Sequence, residues 1–182
     1  MASVDRIHVV GGSGSGTTTL GRALAARTGA THLDTDDFYW LRTQPPYTTS
    51  RPVADRIALL SEAFDASPRW VLSGSMMGWG EPLLPRIELI VFLYTPPDVR
   101  LARVMARERE RYGADIDPGG RLHAHHLEFM EYVRGYDRDD FPGRSLKRHR
   151  AWLAAASRPV LELDGARAVE EGVAAVLASR PD

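Results

Sequence analysis

The sequence predicts an α/β fold in which a parallel sheet is covered by helices on both faces. Short runs rich in valine, isoleucine and leucine alternate along the chain with longer segments of helical period. Strands that are apolar on both faces and separated by helices are typical of such sheets. Polar clusters follow several of these runs, at the edge where parallel sheets bind ligands. The length of 182 residues favours one domain, spanning residues 1–182.

The predicted elements follow one another in strand–helix order. Residues 7–10 form the first strand, which ends at a glycine-rich loop. A helix is expected from about Thr18 to about Gly29, and residues 31–34 form a short second strand. Further strands are predicted over residues 69–75, 87–94 and 158–165, and a closing amphipathic helix over residues 169–177.

The composition excludes several classes of protein. With 23 Lys and Arg against 24 Asp and Glu, the formal net charge of −1 gives no support to a nucleic-acid-binding or membrane-binding surface. The chain has no cysteine, which excludes a disulfide framework, a thiolate metal site and a cysteine nucleophile. No signal-peptide stretch fits the N-terminus and no apolar run is long enough to span a bilayer, so we expect a cytoplasmic protein. Nothing in the sequence indicates an oligomeric state.

The stretch GGSGSGTT, between the first strand and the first helix, has most features of a phosphate-binding loop. Against the pattern G-x-x-x-x-G-K-[S/T], the matching residues are Gly11, Gly16 and Thr18. Glycines let backbone N–H groups approach phosphate oxygens, and the helix N-terminus adds partial positive charge. The alternatives are a flexible glycine turn and a dinucleotide-type loop.

Thr17 stands where such loops carry lysine. A cation beside the phosphates stabilises the transition state by several kcal/mol in comparable sites, so its loss weakens chemistry more than binding. Arg22, one turn along the helix, is a possible substitute, and an arginine from a distant segment is the alternative that we favour.

A second polar cluster, Asp34, Asp36 and Asp37, ends the second strand. In an extended segment Asp34 and Asp36 point to the same side, which suits one carboxylate for a metal and one for a substrate hydroxyl. The third strand ends in SGS without an acidic residue, so the acid that accompanies magnesium has to come from elsewhere, and Asp34 and Asp36 are the obvious source. The alternative is a solvated acidic turn.

Two basic segments are candidates for replacing the lysine. Residues 99–113 predict a helix with Leu101, Val104 and Met105 inward, while a set of its arginines recurs at steps of three and four residues. Arginine binds phosphate through two parallel N–H groups, although a salt-bridged solvent face explains the same pattern. The arginines of this stripe are Arg100, Arg103, Arg107 and Arg111; those of the second segment include Arg144 and Arg148, one turn apart.

The histidines of RLHAHHLEFM suggest a zinc site, but their spacing argues against one. His123 and His125 fall on different faces of a helix, whereas His126 belongs to an inner stripe with Phe129 and Val133. We therefore favour histidines packed near a cleft over metal ligands.

These motifs together resemble one family. The order of a strand, GGSGSGTTTLGRAL, LDTDD and VLSGS is similar to that of P-loop small-molecule kinases of the nucleoside-monophosphate-kinase-like and shikimate-kinase-like branch. RLARVMARERERYG and RPVLELDG extend the similarity over nearly the whole chain. The lysine-less GSGTTTLG loop resembles that of an uncharacterised group labelled adenylate-kinase-like or AAA family ATPase. The resemblance implies a three-layer α/β/α P-loop NTPase fold with a five-stranded parallel sheet, a helical lid, and ATP with Mg²⁺ as donor.

Carried onto this sequence, the resemblance implies a lid over about residues 107–125 and an acceptor-side region over about residues 36–66. The phosphates would be held by Gly11, Gly12, Ser13, Gly14, Ser15, Gly16, Thr17, Thr18 and Thr19, and the metal by Thr18 and Asp36. The candidate catalytic residues are Asp34, Asp36, Arg107, Arg111 and Arg148. The candidate acceptor contacts are Asp34, Asp37, Tyr39, Arg51, Gly74 and Trp79, where Trp79 either stacks on a base or packs.

Three hypotheses of function follow from these residues. The leading hypothesis is an ATP-dependent phosphotransferase that acts on a nucleoside monophosphate or a small hydroxylated metabolite. The second is a nucleotide-binding protein with little turnover, in which Thr17 marks lost catalysis. ATP hydrolysis coupled to movement is disfavoured, because no acidic pair follows the third strand and no separate helical domain is predicted. The expected partners are a nucleotide and a small-molecule substrate.

Overall fold

The sheet of the computed structural model, which describes residues 5–179, is parallel throughout. The strands are Arg6–Gly11 (β1), Thr31–Asp34 (β2), Trp70–Ser73 (β3), Leu89–Tyr94 (β4) and Val160–Asp164 (β5). Within residues 5–179 these five strands form one sheet in the order β2-β3-β1-β4-β5. The predicted α/β fold with a five-stranded parallel sheet is confirmed.

Helices cover both faces of this sheet. They are Thr17–Thr28 (α1), Thr35–Tyr39 (α2), Val53–Asp65 (α3), Pro97–Tyr112 (α4), His123–Gly135 (α5), Leu146–Ala155 (α6) and Val169–Ala178 (α7), with 3-10 helices at Glu81–Arg86 and Gly113–Ile116. The sequence-predicted lid, residues 107–125, thus comprises the end of α4, a 3-10 helix and the start of α5. The assignment of residues 1–182 to one domain stays a prediction, since residues 1–4 and 180–182 lie outside the described residues. None of the helices in residues 5–179 combines the length and the apolar character that crossing a membrane requires.

The two faces of the sheet have separate apolar cores because side chains alternate along each strand. On one face Val10 and Phe92 pack with α3 and α6. On the other, Val9 packs with α1 and α7. The strands are therefore apolar on both sides, which is the pattern that the sequence displayed.

The strand register brings the ends of β2 and β3 level, and β1 continues past them to Gly11. Ser73 at the end of β3 is the Cα partner of Asp34 in β2 and of Val9 in β1. The loop that follows β1 therefore begins beside the acidic cluster that follows β2. This is the edge at which doubly wound sheets bind ligands.

Helix α4 differs from its sequence prediction. Val104 is fully buried, but Met105, expected inward, is 42% exposed. The buried face of α4 runs instead through Arg100, Val104 and Glu108, which lie four residues apart. The predicted basic stripe is therefore split, because Arg100 lies inside the protein while the other arginines of the stripe are exposed.

Candidate functional site

The glycine loop presents unbonded backbone donors at the start of α1. The N-cap residue Gly16 has no side-chain cap, and the first turn of α1 has no acidic residue. The loop turns through a hydrogen bond of 3.0 Å from the Ser15 N–H to the Gly12 carbonyl. Within residues 5–179, the N–H groups of Gly14 and Gly16 make no hydrogen bond. Free N–H groups at a helix N-terminus favour an anion, which fits a polyphosphate.

Neighbouring elements pack closely against the outer side of this loop. A Cβ atom added to Gly12 would lie 2.9 Å from the Tyr136 ring. One added to Gly14 would lie 2.5 Å from the Arg100 carbonyl oxygen of α4, and the φ of 83° at Gly14 itself favours glycine. The loop therefore needs glycine at these positions to lie between α4 and the Tyr136 ring.

The side chain of Asp34 contacts the helix that follows the loop. Its Oδ2 accepts hydrogen bonds from the Thr18 hydroxyl at 3.0 Å and from the Ser73 hydroxyl at 3.4 Å. Its Oδ1 caps α2 by accepting the Asp36 N–H at 3.1 Å. A hydroxyl and a carboxylate oxygen side by side are ligands that magnesium prefers, so the pair of Thr18 and Asp34 fits this metal.

One expectation about the acidic cluster is therefore corrected. Asp36 does not continue an extended strand beside Asp34, because Asp34 ends β2 and Asp36 lies in the first turn of α2. The carboxylate that touches Thr18 is that of Asp34, and the assignment of Asp36 as a metal ligand stays a prediction. Asp37, like Asp36, is exposed in the first turn of α2.

The pKa of Asp36 is raised above its usual value, chiefly because surrounding protein atoms displace water and then because of the nearby Asp34 charge. The positive charges of Arg144 and Arg107 oppose this rise in the pKa. These two arginines thus lie near the acidic cluster although they come from different segments. Within the described residues, neither guanidinium makes a hydrogen bond or a salt bridge.

The other predicted arginines have different surroundings. Arg148 is exposed, and its guanidinium donates to the carbonyls of Pro142 and Gly143. The expectation that Arg144 and Arg148 lie one helical turn apart is wrong, because α6 begins only at Leu146.

Arg111 and Arg22 have neighbours of their own. The Arg111 guanidinium lies 5.0 Å from the ring centroid of Tyr47 in the acceptor-side region. Arg22 is exposed on α1, where its charge lowers the pKa of His32 after the larger effect of burial.

A cavity of about 340 Å³ separates the predicted lid from the acceptor-side region. Gln44 and Pro45 line it on one side, and Arg111, Tyr112 and Arg121 line it on the other. A substrate of small-molecule size has room here between the two regions.

The predicted acceptor contacts are not equally accessible. The Trp79 side chain is 5% exposed and packs in the core, so it has no open face for stacking on a base. The Arg51 side chain donates from Nε to the Phe38 carbonyl at 3.1 Å, which holds it against α2. Gly74 has a φ of 97° and packs on Thr35, so its backbone lies directly against the start of α2.

Sequence inspection missed Arg56, which lies next to these residues. It is 7% exposed, its guanidinium lies 3.7 Å from the Tyr39 ring centroid, and its Nε donates to the Arg51 carbonyl at 2.6 Å. A signal for it existed: Arg56, Leu60 and Phe64 recur every four residues on the buried face of α3.

Two buried histidines hold the end of β3, and no pattern in the sequence distinguishes them. His8 donates from Nε2 to the Gly74 carbonyl at 2.8 Å. His149 Nε2 lies 3.3 Å from the Ser75 hydroxyl and its Nδ1 lies 2.9 Å from the Tyr136 hydroxyl. Burial lowers the pKa of His8 to about 4, while burial and then the charges of Arg144 and His8 lower the pKa of His149 to about 3. Both side chains are therefore neutral at pH 7.

Two histidines of α5 contact other protein groups. His126 is 5% exposed and its Nδ1 lies 3.6 Å from Oε2 of the buried Glu108. His123 lies 2.9 Å from the Ile116 carbonyl through Nδ1. In the part of the chain that the structure describes, no group of three or more His, Cys, Asp or Glu side chains is arranged for a metal ion.

Comparison with known proteins shows the family of the chain. A family model described as AAA domain matches residues 7–131. The "Uncharacterized protein YqaC" of Bacillus subtilis (strain 168) is 40% identical over 171 residues, which make up 94% of each chain.

Solved kinase structures share the fold. A gluconokinase from Sinorhizobium meliloti 1021 is 19% identical with a TM-score of 0.55, over 96% of this chain and 90% of that one. A shikimate kinase from Acinetobacter baumannii in complex with shikimate is 17% identical with a TM-score of 0.57, over 99% and 97% of the two chains. The chain therefore belongs to the AAA domain family, and its fold is that of the P-loop small-molecule kinases.

Proposed function

We propose that the protein is an ATP-dependent phosphotransferase that acts on a nucleoside monophosphate or a small hydroxylated metabolite. The observation that carries this proposal is the combination of free loop N–H groups with the Thr18–Asp34 contact beside Asp36. Such an arrangement can bind a polyphosphate, bind its metal, and accept a proton from a hydroxyl within one site.

The loop residues Gly11 to Thr19 would hold the phosphates of the donor through backbone N–H groups and hydroxyls. Thr18 and Asp34 would hold the magnesium, with Asp34 replacing Asp36 in that role because its carboxylate contacts Thr18. Magnesium-ATP bound there supplies the transferable phosphoryl group, and the metal neutralises part of the charge on its oxygens.

Asp36 would accept the proton of the acceptor hydroxyl. Its raised pKa suits this task, because a carboxylate becomes a stronger base as its pKa rises. Arg107 and Arg144 would neutralise the charge that develops on the moving phosphoryl group, in place of the lysine that Thr17 replaces. Their lack of protein partners within residues 5–179 leaves both guanidinium groups available for phosphate oxygens.

The acceptor would lie between α2, α3 and the predicted lid. Asp37, Tyr39, Arg51 and Gly74 remain candidates for contacts with it, and Arg56 is added to them. Trp79 would shape the wall from within the core rather than touch the acceptor. Arg111, on the other side of the cavity, would contact the acceptor from the lid.

Calorimetric titration with magnesium-ATP, followed by a radiolabelled transfer screen over nucleoside monophosphates and hydroxylated metabolites, tests the proposal. We expect binding of magnesium-ATP and a labelled product with one class of acceptor. Binding without product on any acceptor would favour the nucleotide-binding alternative, to which the absence of the loop lysine gives some support. Absence of magnesium-ATP binding would contradict both functions.

Arg144→Met is expected to lower the transfer rate by about 10- to 100-fold, because a charge-assisted hydrogen bond contributes about 1.5–3 kcal/mol. Arg150→Met is the matched control. Arg150 is exposed on α6 and pairs with Glu162 at 2.8 Å, so we expect its loss to change the rate by no more than about twofold. Arg148→Met should have a smaller effect than Arg144→Met. Equal losses from Arg144→Met and Arg150→Met would refute a specific role for Arg144.

Asp34→Asn is expected to raise the magnesium concentration needed for half-maximal ATP binding by about tenfold or more, since it removes a ligand charge. Titration of magnesium at fixed ATP, followed by calorimetry, measures this shift. Asp36→Asn should shift the midpoint less. A larger shift of the magnesium midpoint in Asp36→Asn than in Asp34→Asn would identify Asp36 as the metal ligand.

A further inference from the structure

A buried arginine supports the phosphate loop from its outer side. The Arg100 side chain is 1% exposed, and its Nη1 donates to the Ser13 carbonyl at 3.1 Å. Its Nη2 is bonded to Asp137, and its guanidinium lies 4.7 Å from the ring centroid of Tyr136, the residue that packs on Gly12. One guanidinium thus connects α4, the loop and the segment that follows α5.

The bond to Ser13 also fixes the direction of the next N–H group. The peptide that joins Ser13 to Gly14 is planar, so its carbonyl and its N–H point in opposite directions. With the Ser13 carbonyl bonded to Arg100, the Gly14 N–H points away from α4. The Ser15 carbonyl is held likewise by the Thr95 hydroxyl at 3.1 Å and by Arg103 Nη1 at 3.4 Å, which directs the Gly16 N–H.

A loop this rich in glycine gains from such anchors. Glycine populates many backbone conformations, so an unsupported loop would lose much conformational entropy when its N–H groups align on a ligand. Donors that are already aligned bind a charged group without that cost. The loop lacks the lysine that could otherwise anchor it or its ligand from the inner side.

We propose that Arg100 is a positioning residue that holds the Ser13–Gly14 peptide in the orientation that binds phosphate. It acts through the geometry of its bonds rather than its charge, because Asp137 neutralises the guanidinium and the guanidinium bonds the outer side of the loop. The inference rests on the proposed binding of a polyphosphate by this loop.

The test is calorimetric titration of the full chain with inorganic tripolyphosphate, using Arg100→Lys, which keeps the charge but cannot bond Ser13 and Asp137 as a planar fork. We expect a loss of affinity of about tenfold or more, the effect of one charge-assisted hydrogen bond. Asp137→Asn removes the charge that neutralises the Arg100 guanidinium and weakens the bond that holds it in place. This variant should also bind tripolyphosphate less tightly.

Arg86→Lys is the matched control. Arg86 likewise bonds an aspartate and a carbonyl, with its Nη2 at 2.5 Å from Asp65 and its Nη1 at 3.2 Å from the Ser61 carbonyl, away from the loop. This variant should bind tripolyphosphate as the wild type does. Circular dichroism identifies the temperatures at which all the variants are folded, and the affinities for tripolyphosphate are compared only there.

The amide resonance of Gly14 gives a second measurement that a loss of stability elsewhere would not reproduce. In the wild type it should shift on addition of tripolyphosphate, and in Arg100→Lys the free protein should already show a displaced or broadened signal. Unchanged affinity in Arg100→Lys, or tighter binding in Asp137→Asn, would overturn the positioning role. No binding by the wild type would instead overturn the phosphate loop, and the inference with it.

Discussion

Asp36→Asn is expected to lower the rate of phosphoryl transfer by about 10²- to 10⁴-fold, the usual contribution of a general base. The side chain keeps its size but can no longer accept a proton from the acceptor hydroxyl. Because Asp34, not Asp36, contacts Thr18, we expect the affinity for magnesium-ATP to change by no more than about twofold. Single-turnover transfer assays with the acceptor from the screen, alongside calorimetry, separate these two quantities.

The pH profile gives a further check on Asp36. Since the pKa of Asp36 is raised, the acid limb of kcat/KM should lie at higher pH than the pKa of an ordinary aspartate and should vanish in Asp36→Asn. Asp55→Asn is the matched control, because Asp55 is also exposed in the first turn of a helix but lies on α3. Wild-type transfer by Asp36→Asn would place the base elsewhere in the site.

The sheet and the loop could be predicted because their signals are local. A run such as IVFL is apolar on both faces whatever lies around it, and β4 formed there. The loop pattern likewise depends on glycines that are adjacent in sequence. Parallel strands then bring their ends to one edge, which is why Asp34 was predicted near the loop.

The surroundings of the charged side chains could not be predicted, because they depend on contacts between distant segments. Arg100 and Arg107 belong to one helix and look alike in sequence, yet Arg100 is buried against Asp137 and Arg107 is exposed near Asp36. The periodicity of α4 predicts Met105 inward because it counts only apolar residues as inner ones. The inner face in fact includes the charged residues Arg100 and Glu108. Which arginine is paired depends on a partner from a distant segment. The spacing of the arginines in the sequence does not show that partner.

The expected placement of Asp34 and Asp36 on one side of an extended segment is wrong for a local reason. Extending β2 by two residues puts both carboxylates on one side, but the chain turns into α2 immediately after Asp34. Asp34 then caps α2 by accepting the Asp36 N–H. Aspartate is a preferred N-cap residue, so a helix start at this position was available as an alternative.

Acidification is expected to destabilise the fold strongly through His8 and His149. Their pKa values in the folded protein are lowered to about 4 and about 3, from 6.5. Between pH 6.5 and about 4 the unfolded chain therefore binds more protons than the folded one, and stability falls as the pH falls. Each histidine contributes about 1.4 kcal/mol per pH unit, so the pair removes about 5 kcal/mol of unfolding free energy between pH 6.5 and pH 4.5. This is comparable with the whole stability of many domains.

Urea unfolding at a series of pH values measures this effect, and His149→Gln should remove about half of the slope. The variant should also be less stable at pH 7.5, where the histidine is neutral, because the bonds to Ser75 and Tyr136 are lost. His125→Gln is the control, since His125 is exposed on α5 and its replacement should leave the slope unchanged. Parallel pH profiles for the wild type and His149→Gln would mean that His149 is not held neutral. The cause of any acid instability would then be His8 or the carboxylates, whose protonation in paired sites destabilises a fold in the same direction.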